Sequence, residues 1–301
     1  MKFLAMAALT MGLALTGAMM SSCSNKDIPV ADSEIPEADN DGNPPLPKGR
    51  TVDLSELSED YVAQDGDMLT SPLKEKYKIS IAQGATVTLS NVYIDGGITC
   101  LGDATIILAD DMNNTVNGLD EGQPGIQAGG MGTTLTIRGE KNSTGKLSAT
   151  GGIGAAGIGS RAEGSCGYIT IVGGVIEATG GEYAAGIGSG KYGRCDDITI
   201  VGGNITATGG EYSAGIGSGY SGKCSNIDIS EPATGTAKGG KESQWDIGPG
   251  EGGTYGRISV EDETIGGRWF GDPDYNGGGD KPIDDPNGGD SPASDDGPAG
   301  T

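Results

Sequence analysis

Histidine is absent from this chain, and large aromatic residues are almost as scarce, with two Phe and two Trp. Without histidine, general acid–base catalysis by imidazole, the usual serine and cysteine triads, and imidazole-ligated metals are all ruled out. A core without Phe and Trp must be built from Ile, Val, Leu and Ala. Basic residues are few as well: 19 Lys and Arg face 42 Asp and Glu, a formal net charge of −23. Nucleic acid and anionic membrane surfaces need basic patches, so neither is expected as a partner. Past the N-terminal segment there is no apolar run near the roughly 18 residues that a membrane helix needs.

Glycine is what the chain has in abundance, 58 of 301 residues. No Gly-X-Y period accompanies it, so collagen is excluded. The glycines instead sit in register. "AAGIGSRAEGSCGYITIVGGVIEATGG" (155–181), "AAGIGSGKYGRCDDITIVGGNITATGG" (184–210) and "SAGIGSGYSGKCSNIDIS" (213–230) align almost without gaps. Gly157, Gly186 and Gly215 are 29 residues apart, as are Cys166, Cys195 and Cys224. A fixed period of this length marks a stacked array of structural units.

Each unit reads as three short strands, which in the second unit are 198–203, 204–210 and 213–218. Apolar residues alternate with polar or small ones, as Ile198 and Ile200 do, so each strand has one inward and one outward face. Glycine recurs too often for helix, at about 1 kcal/mol per helical position. Three strands separated by glycine corners describe one coil of a right-handed parallel β-helix. The "ITI" strand recurs at 87–89, 106–108, 135–137, 169–171, 198–200, 227–229 and 258–260, spaced by 19, 29, 34, 29, 29 and 31 residues. Seven coils at roughly 4.8 Å each make a rod of about 35 Å. The clearest 29-residue repeats fill 146–232, and 51–81 is expected to cap the N-terminal end of a folded body at 51–270.

The flanks have another character. Residues 1–22 read as an export signal, with Lys2, the apolar "FLAMAALTMGLAL" and small residues before Cys23. "MSSC" matches the pattern in which a lipidated cysteine, here Cys23, becomes the mature N-terminus. Residues 23–50 are an acidic, proline-bearing tether, and the Gly/Asp/Pro-rich 271–301 reads as a disordered tail.

The run "GATVTLSNVYI…GITCLGDATIILADDMNNTV…PGIQAGGMGTTLTIRG", followed by the "AAGIGSG…ITIVGG" coils, resembles repeat-rich exported bacterial lipoproteins. It is similar, more distantly, to β-helical carbohydrate-binding surface proteins related in shape to pectate lyases. The resemblance implies a lipid-anchored monomer of the cell envelope, at the outer membrane, that binds acidic or plant-type polysaccharide or host glycan, with calcium as an accessory.

The residues themselves nominate candidates on the outward columns. Asp197, Asn226, Asp228 and Arg257 offer carboxylates, an amide and a guanidinium for sugar hydroxyls. Tyr183 and Tyr212 stand one coil apart as a strip on which a sugar ring could stack, and beside them Glu182 and Glu211 form a candidate calcium pair. A lyase alternative would use Arg257 as the proton acceptor, with Asp197 and Asp228 holding calcium. A third reading is a structural stalk. "GSGYSGKC" (217–224) mimics a phosphate loop, but it lacks the Ser or Thr after Lys223 and the helix such a loop opens. Cys166, Cys195 and Cys224 form a column expected to be a ladder of buried thiols, since three cysteines cannot pair without a remainder.

Overall fold

A side chain that returns at the same height in every coil can bury itself against its own copies, and the isoleucines do so. The computed structural model describes residues 49–261 and 265–268. The signal segment, Cys23, most of the tether and the tail lie outside the described residues. Successive coils stack as parallel ladders, with pairs such as Ile169↔Ile198↔Ile227, Ile176↔Ile205 and Ile158↔Ile187↔Ile216. This is a parallel β-helix.

The first face contains the seven strands expected from the sequence, from the start of Ala85–Asp95 through Ala104–Leu108, Thr134–Gly139, Tyr168–Ile171, Ile198–Ile200 and Ile227–Ile229 to Ile258–Val260. Ile171, Ile200 and Ile229 stack inside it at 0%, 0% and 2% exposure. Each such burial contributes about 1.5–3 kcal/mol. The second face comprises Asn113–Asn117, Lys146–Thr150, Val175–Thr179, Asn204–Thr208 and Thr234–Lys238. The strand Ala85–Asp95 is long enough to serve both faces, pairing Val87 with Ile106 and Ile94 with Val116. In one place the register differs from the sequence alignment: Ile106 pairs with Ile137, two residues beyond Leu135. A two-residue slip leaves inward residues inward, so alternation alone could not detect it.

The third face is narrow, with two-residue strands such as Ile158–Gly159, Ile187–Gly188 and Ile216–Gly217. Its isoleucines point into the core; its glycines cannot be replaced. Gly188 has φ 133°, and a Cβ there would lie 1.8 Å from the carbonyl oxygen of Gly217 in the next coil. Just beyond it stands a polar ladder inside the molecule. The hydroxyls of the fully buried Ser160, Ser189 and Ser218 accept the backbone N–H groups of Gly190, Gly219 and Gly250 at 2.9, 3.2 and 3.0 Å. A fourth ladder, absent from the three-strand reading, pairs Ser165–Cys166 with Arg194–Cys195 and Lys223–Cys224.

The segment 51–81, expected to cap the N-terminal end of the folded body, is itself coiled. Tyr61–Ala63 pairs with Ile79–Ile81, which pairs with Ile98–Cys100, and Met68–Pro72 pairs with Ala85–Asp95. Closure falls to smaller devices. Leu54, in a single 3-10 turn, is 1% exposed and joins the core. Asp67 is 2% exposed, and it accepts hydrogen bonds from Arg50 Nε, the Tyr61 hydroxyl and the Gln64 N–H at 3.0, 2.6 and 2.8 Å. The last described coil carries a similar clamp, in which Asp246 accepts from Arg268 Nε at 3.1 Å and from the Gly239 N–H at 2.7 Å.

Candidate functional site

The 29-residue register places Tyr183 and Tyr212 at one height of consecutive coils, in the corner that enters the third face. Their rings are offset-stacked, with centroids 5.4 Å apart and planes 4° from parallel. Two further tyrosines reach the same place from the other side of the short third-face strand. Tyr220 sets an edge against Tyr183 at 6.0 Å and Tyr212 at 5.8 Å, and Tyr192 meets Tyr220 at 5.7 Å. Lys191 lies over Tyr183, its Nζ 4.4 Å from the centroid, and 5.4 Å from that of Tyr192. The corner is thus four rings and an ammonium, where the sequence reading had two rings.

It also differs from an open strip. Tyr183 gives one face to Tyr212 and part of its surface to Lys191, and Tyr192, 49% exposed, is the ring most open to solvent. The missed partners carried a signal. Lys191 and Tyr220 follow Ile187 and Ile216 by four residues each, so they share a column that meets the Tyr183 column across the coil.

The backbone at this corner is strained. Tyr183 has φ 68° where the preceding coil has Gly154 at 78°, and Tyr192 has φ 54°. A large side chain in the left-handed region costs roughly 1–3 kcal/mol, which stacking and cation–π contacts here must offset. Carboxylates surround the rings. A hydrogen bond to Glu182, reinforced by its charge, pushes the Tyr183 phenol up to about 12. Tyr212 is raised by the charge of Glu211, then by burial and by Glu242 and Glu251. The corner is therefore electronegative, with Lys191 as a local counterweight.

Glu182 and Glu211 follow one another by 29 residues, in the column beside Tyr183 and Tyr212. Among the described residues no three carboxylate, thiol or imidazole groups converge on a point that could hold a metal, and Glu182 engages Tyr183.

The structure does bring Asp197, Asn226, Asp228 and Arg257 together, on a separate part of the coil at the entry to the first face. They are turned largely to internal use. Asp197 Oδ1 accepts the Asn226 N–H at 2.9 Å, and Asn226 Oδ1 accepts the Arg257 N–H at 2.9 Å. Each side chain thereby caps the coil that follows it. Arg257 Nη2 grips Asp228, 2.7 Å from Oδ1 and 2.9 Å from Oδ2. One guanidinium nitrogen thus meets both oxygens of a single carboxylate in the preceding coil.

A family model described as a beta helix repeat matches residues 169–191 and 198–220. These stretches hold the first- and second-face strands of two coils together with Tyr183, Lys191, Tyr212 and Tyr220. Over these two coils the chain is similar to that repeat, in keeping with its parallel β-helix fold. The β-helix repeat points to a surface protein or to the pectate-lyase-like superfamily without choosing between them. Comparison with curated proteins and with solved structures finds no match.

Proposed function

We propose that this chain is an envelope lipoprotein anchored through Cys23 whose β-helix binds glycan without transforming it. The observation that carries this is the tyrosine corner: four rings from two consecutive coils, held at a cost in backbone strain, with carboxylates alongside to accept sugar hydroxyls. Strain at Tyr183, where the preceding coil uses Gly154, supports a role beyond packing. The electronegative surround favours a neutral glycan over the acidic polymer that the family resemblance implied, because uronate carboxylates would meet Glu182, Glu211, Glu242 and Glu251. The test is affinity electrophoresis in gels containing xylan, polygalacturonate or mucin glycans. Retardation by a neutral polymer is expected, weakened at least tenfold by Tyr183→Ala combined with Tyr212→Ala. Equal mobility in every gel would leave a structural stalk, the reading favoured by the capping column Asp197–Asn226–Arg257. Release of unsaturated products would instead establish the lyase.

A further inference from the structure

The cysteine column differs from a simple ladder of separated thiols. Cys166, Cys195 and Cys224 are paired across successive coils and are 0%, 3% and 0% exposed. All three are free thiols. Their contacts with backbone oxygens are ordinary: Cys166 Sγ to Gly188 O at 3.7 Å, Cys195 Sγ to Gly167 O at 3.6 Å and Cys224 Sγ to Asp196 O at 3.7 Å. The two sulfurs of Cys166 and Cys195, though each is larger than an oxygen, approach to 2.7 Å. Coils stacked in parallel register hold opposed Cα atoms about 4.8 Å apart, inside the 4.4–6.8 Å that a disulfide spans.

We propose that Cys166 and Cys195 are a cross-linking site, joined as an inter-coil disulfide when the protein folds in an oxidising compartment, with Cys224 left as a buried free thiol. The two S–H bonds break and one S–S bond forms. The two protons and two electrons pass to a disulfide-bearing oxidant, whose own S–S bond is cleaved to two thiols. Because the pair is buried, the bond forms while the coils are zipping together and is shielded from reductant afterwards. Three cysteines then leave a remainder without conflict. The bond ties the coil that bears Tyr183, Tyr192 and Cys195 to the coil before it, which bears Gly154 and Cys166. Inertness of the third thiol keeps the bond in place, since exchange requires a thiolate, and a hydrogen bond with Cys195 together with burial makes that form scarce at Cys224.

The sequence makes the test direct. Tryptic cleavage after Arg161, Lys191, Arg194, Lys223 and Lys238 puts Cys166 in peptide 162–191, Cys195 in 195–223 and Cys224 in 224–238. The full chain is unfolded, refolded in a mixture of reduced and oxidised glutathione, alkylated in denaturant without reduction, and mapped by mass spectrometry. The expected product is 162–191 linked to 195–223, 2 Da below the sum of its free-thiol peptides, with Cys224 and Cys100 alkylated. Oxidation in denaturant throughout should scatter the links, Cys100 included. The link should survive Cys224→Ser and vanish in Cys195→Ser. Full alkylation of Cys166 and Cys195 after native refolding would overturn the proposal, as would a link confined to Cys195 and Cys224.

Discussion

Replacing Ile200 by aspartate places a carboxylate at the centre of the first-face stack, between Ile171 and Ile229. Ile200 is 0% exposed, so the change forfeits about 1.5–3 kcal/mol of burial. It also leaves a charge with no partner in an aliphatic interior, at several kcal/mol more unless the group takes up a proton. The sum, about 5 kcal/mol, is among the largest effects a single substitution produces. With a urea slope of about 2 kcal/mol/M, the midpoint of unfolding followed by circular dichroism should fall by more than 2 M. The adjacent Thr199 provides the control. Its side chain faces outward beside Asp228 in the next coil, so Thr199→Asp adds only a partly screened repulsion, under about 1 kcal/mol. Ile200→Val should fall between, at about 0.5–1.5 kcal/mol. If the two aspartate variants unfolded at the same urea concentration, the inward–outward assignment of the first face would be wrong.

Gly188→Ala should destabilise more than Thr199→Asp, because the added methyl would lie 1.8 Å from the Gly217 carbonyl at φ 133°; urea midpoints measured side by side check the order. Acid should loosen both clamped coils together. Burial pushes the Asp67 carboxyl up, but the Tyr61 hydroxyl, the Gln64 N–H and Arg50 outweigh it, and at Asp246 bonds from Arg268 and Gly239 do the same, so both carboxyls sit below their usual range. Their stabilisation is present in full above about pH 3.9 and is lost as pH falls through the lower folded-state values. Melting temperature measured from pH 6 to 2 should therefore drop more steeply in wild type than in Asp67→Asn. Cys23→Ala should move the protein from the membrane fraction to the soluble fraction in cell fractionation; retention in the membrane would remove the lipid anchor from the proposed function.

The ladders were legible because isoleucine, glycine and cysteine recur with a period set by the coil. Ile171, Ile200 and Ile229 can be stacked from spacing alone. Two things escaped for physical reasons. The Arg194–Cys195 ladder consists of two-residue strands, which are too short to show any alternation. The coils at 51–81 lack the 29-residue period altogether, because corners accept insertions while strands keep their pairing. The tyrosine corner was half visible: Tyr183 and Tyr212 share a column, but Lys191, Tyr192 and Tyr220 join them from across the coil, where distance along the chain says nothing about distance in space. Asp197 and Asn226 show the converse limit. Their bonds to the backbone of the next coil cannot be read from side-chain type, so in sequence a capping residue and a binding residue look alike.

Units as alike as 155–181 and 184–210 create a folding hazard. Shift one past the other by a whole coil, and isoleucine still meets isoleucine, glycine meets glycine and cysteine meets cysteine. The interior of the array therefore does little to reject a chain that has skipped a unit. Discrimination must come from positions where the copies differ, such as Glu177 between Ser148 and Thr206, and from terminal contacts that occur once, such as Arg50 on Asp67. Repetition makes each coil easy to add, and the irregular ends are what allow the chain to count them.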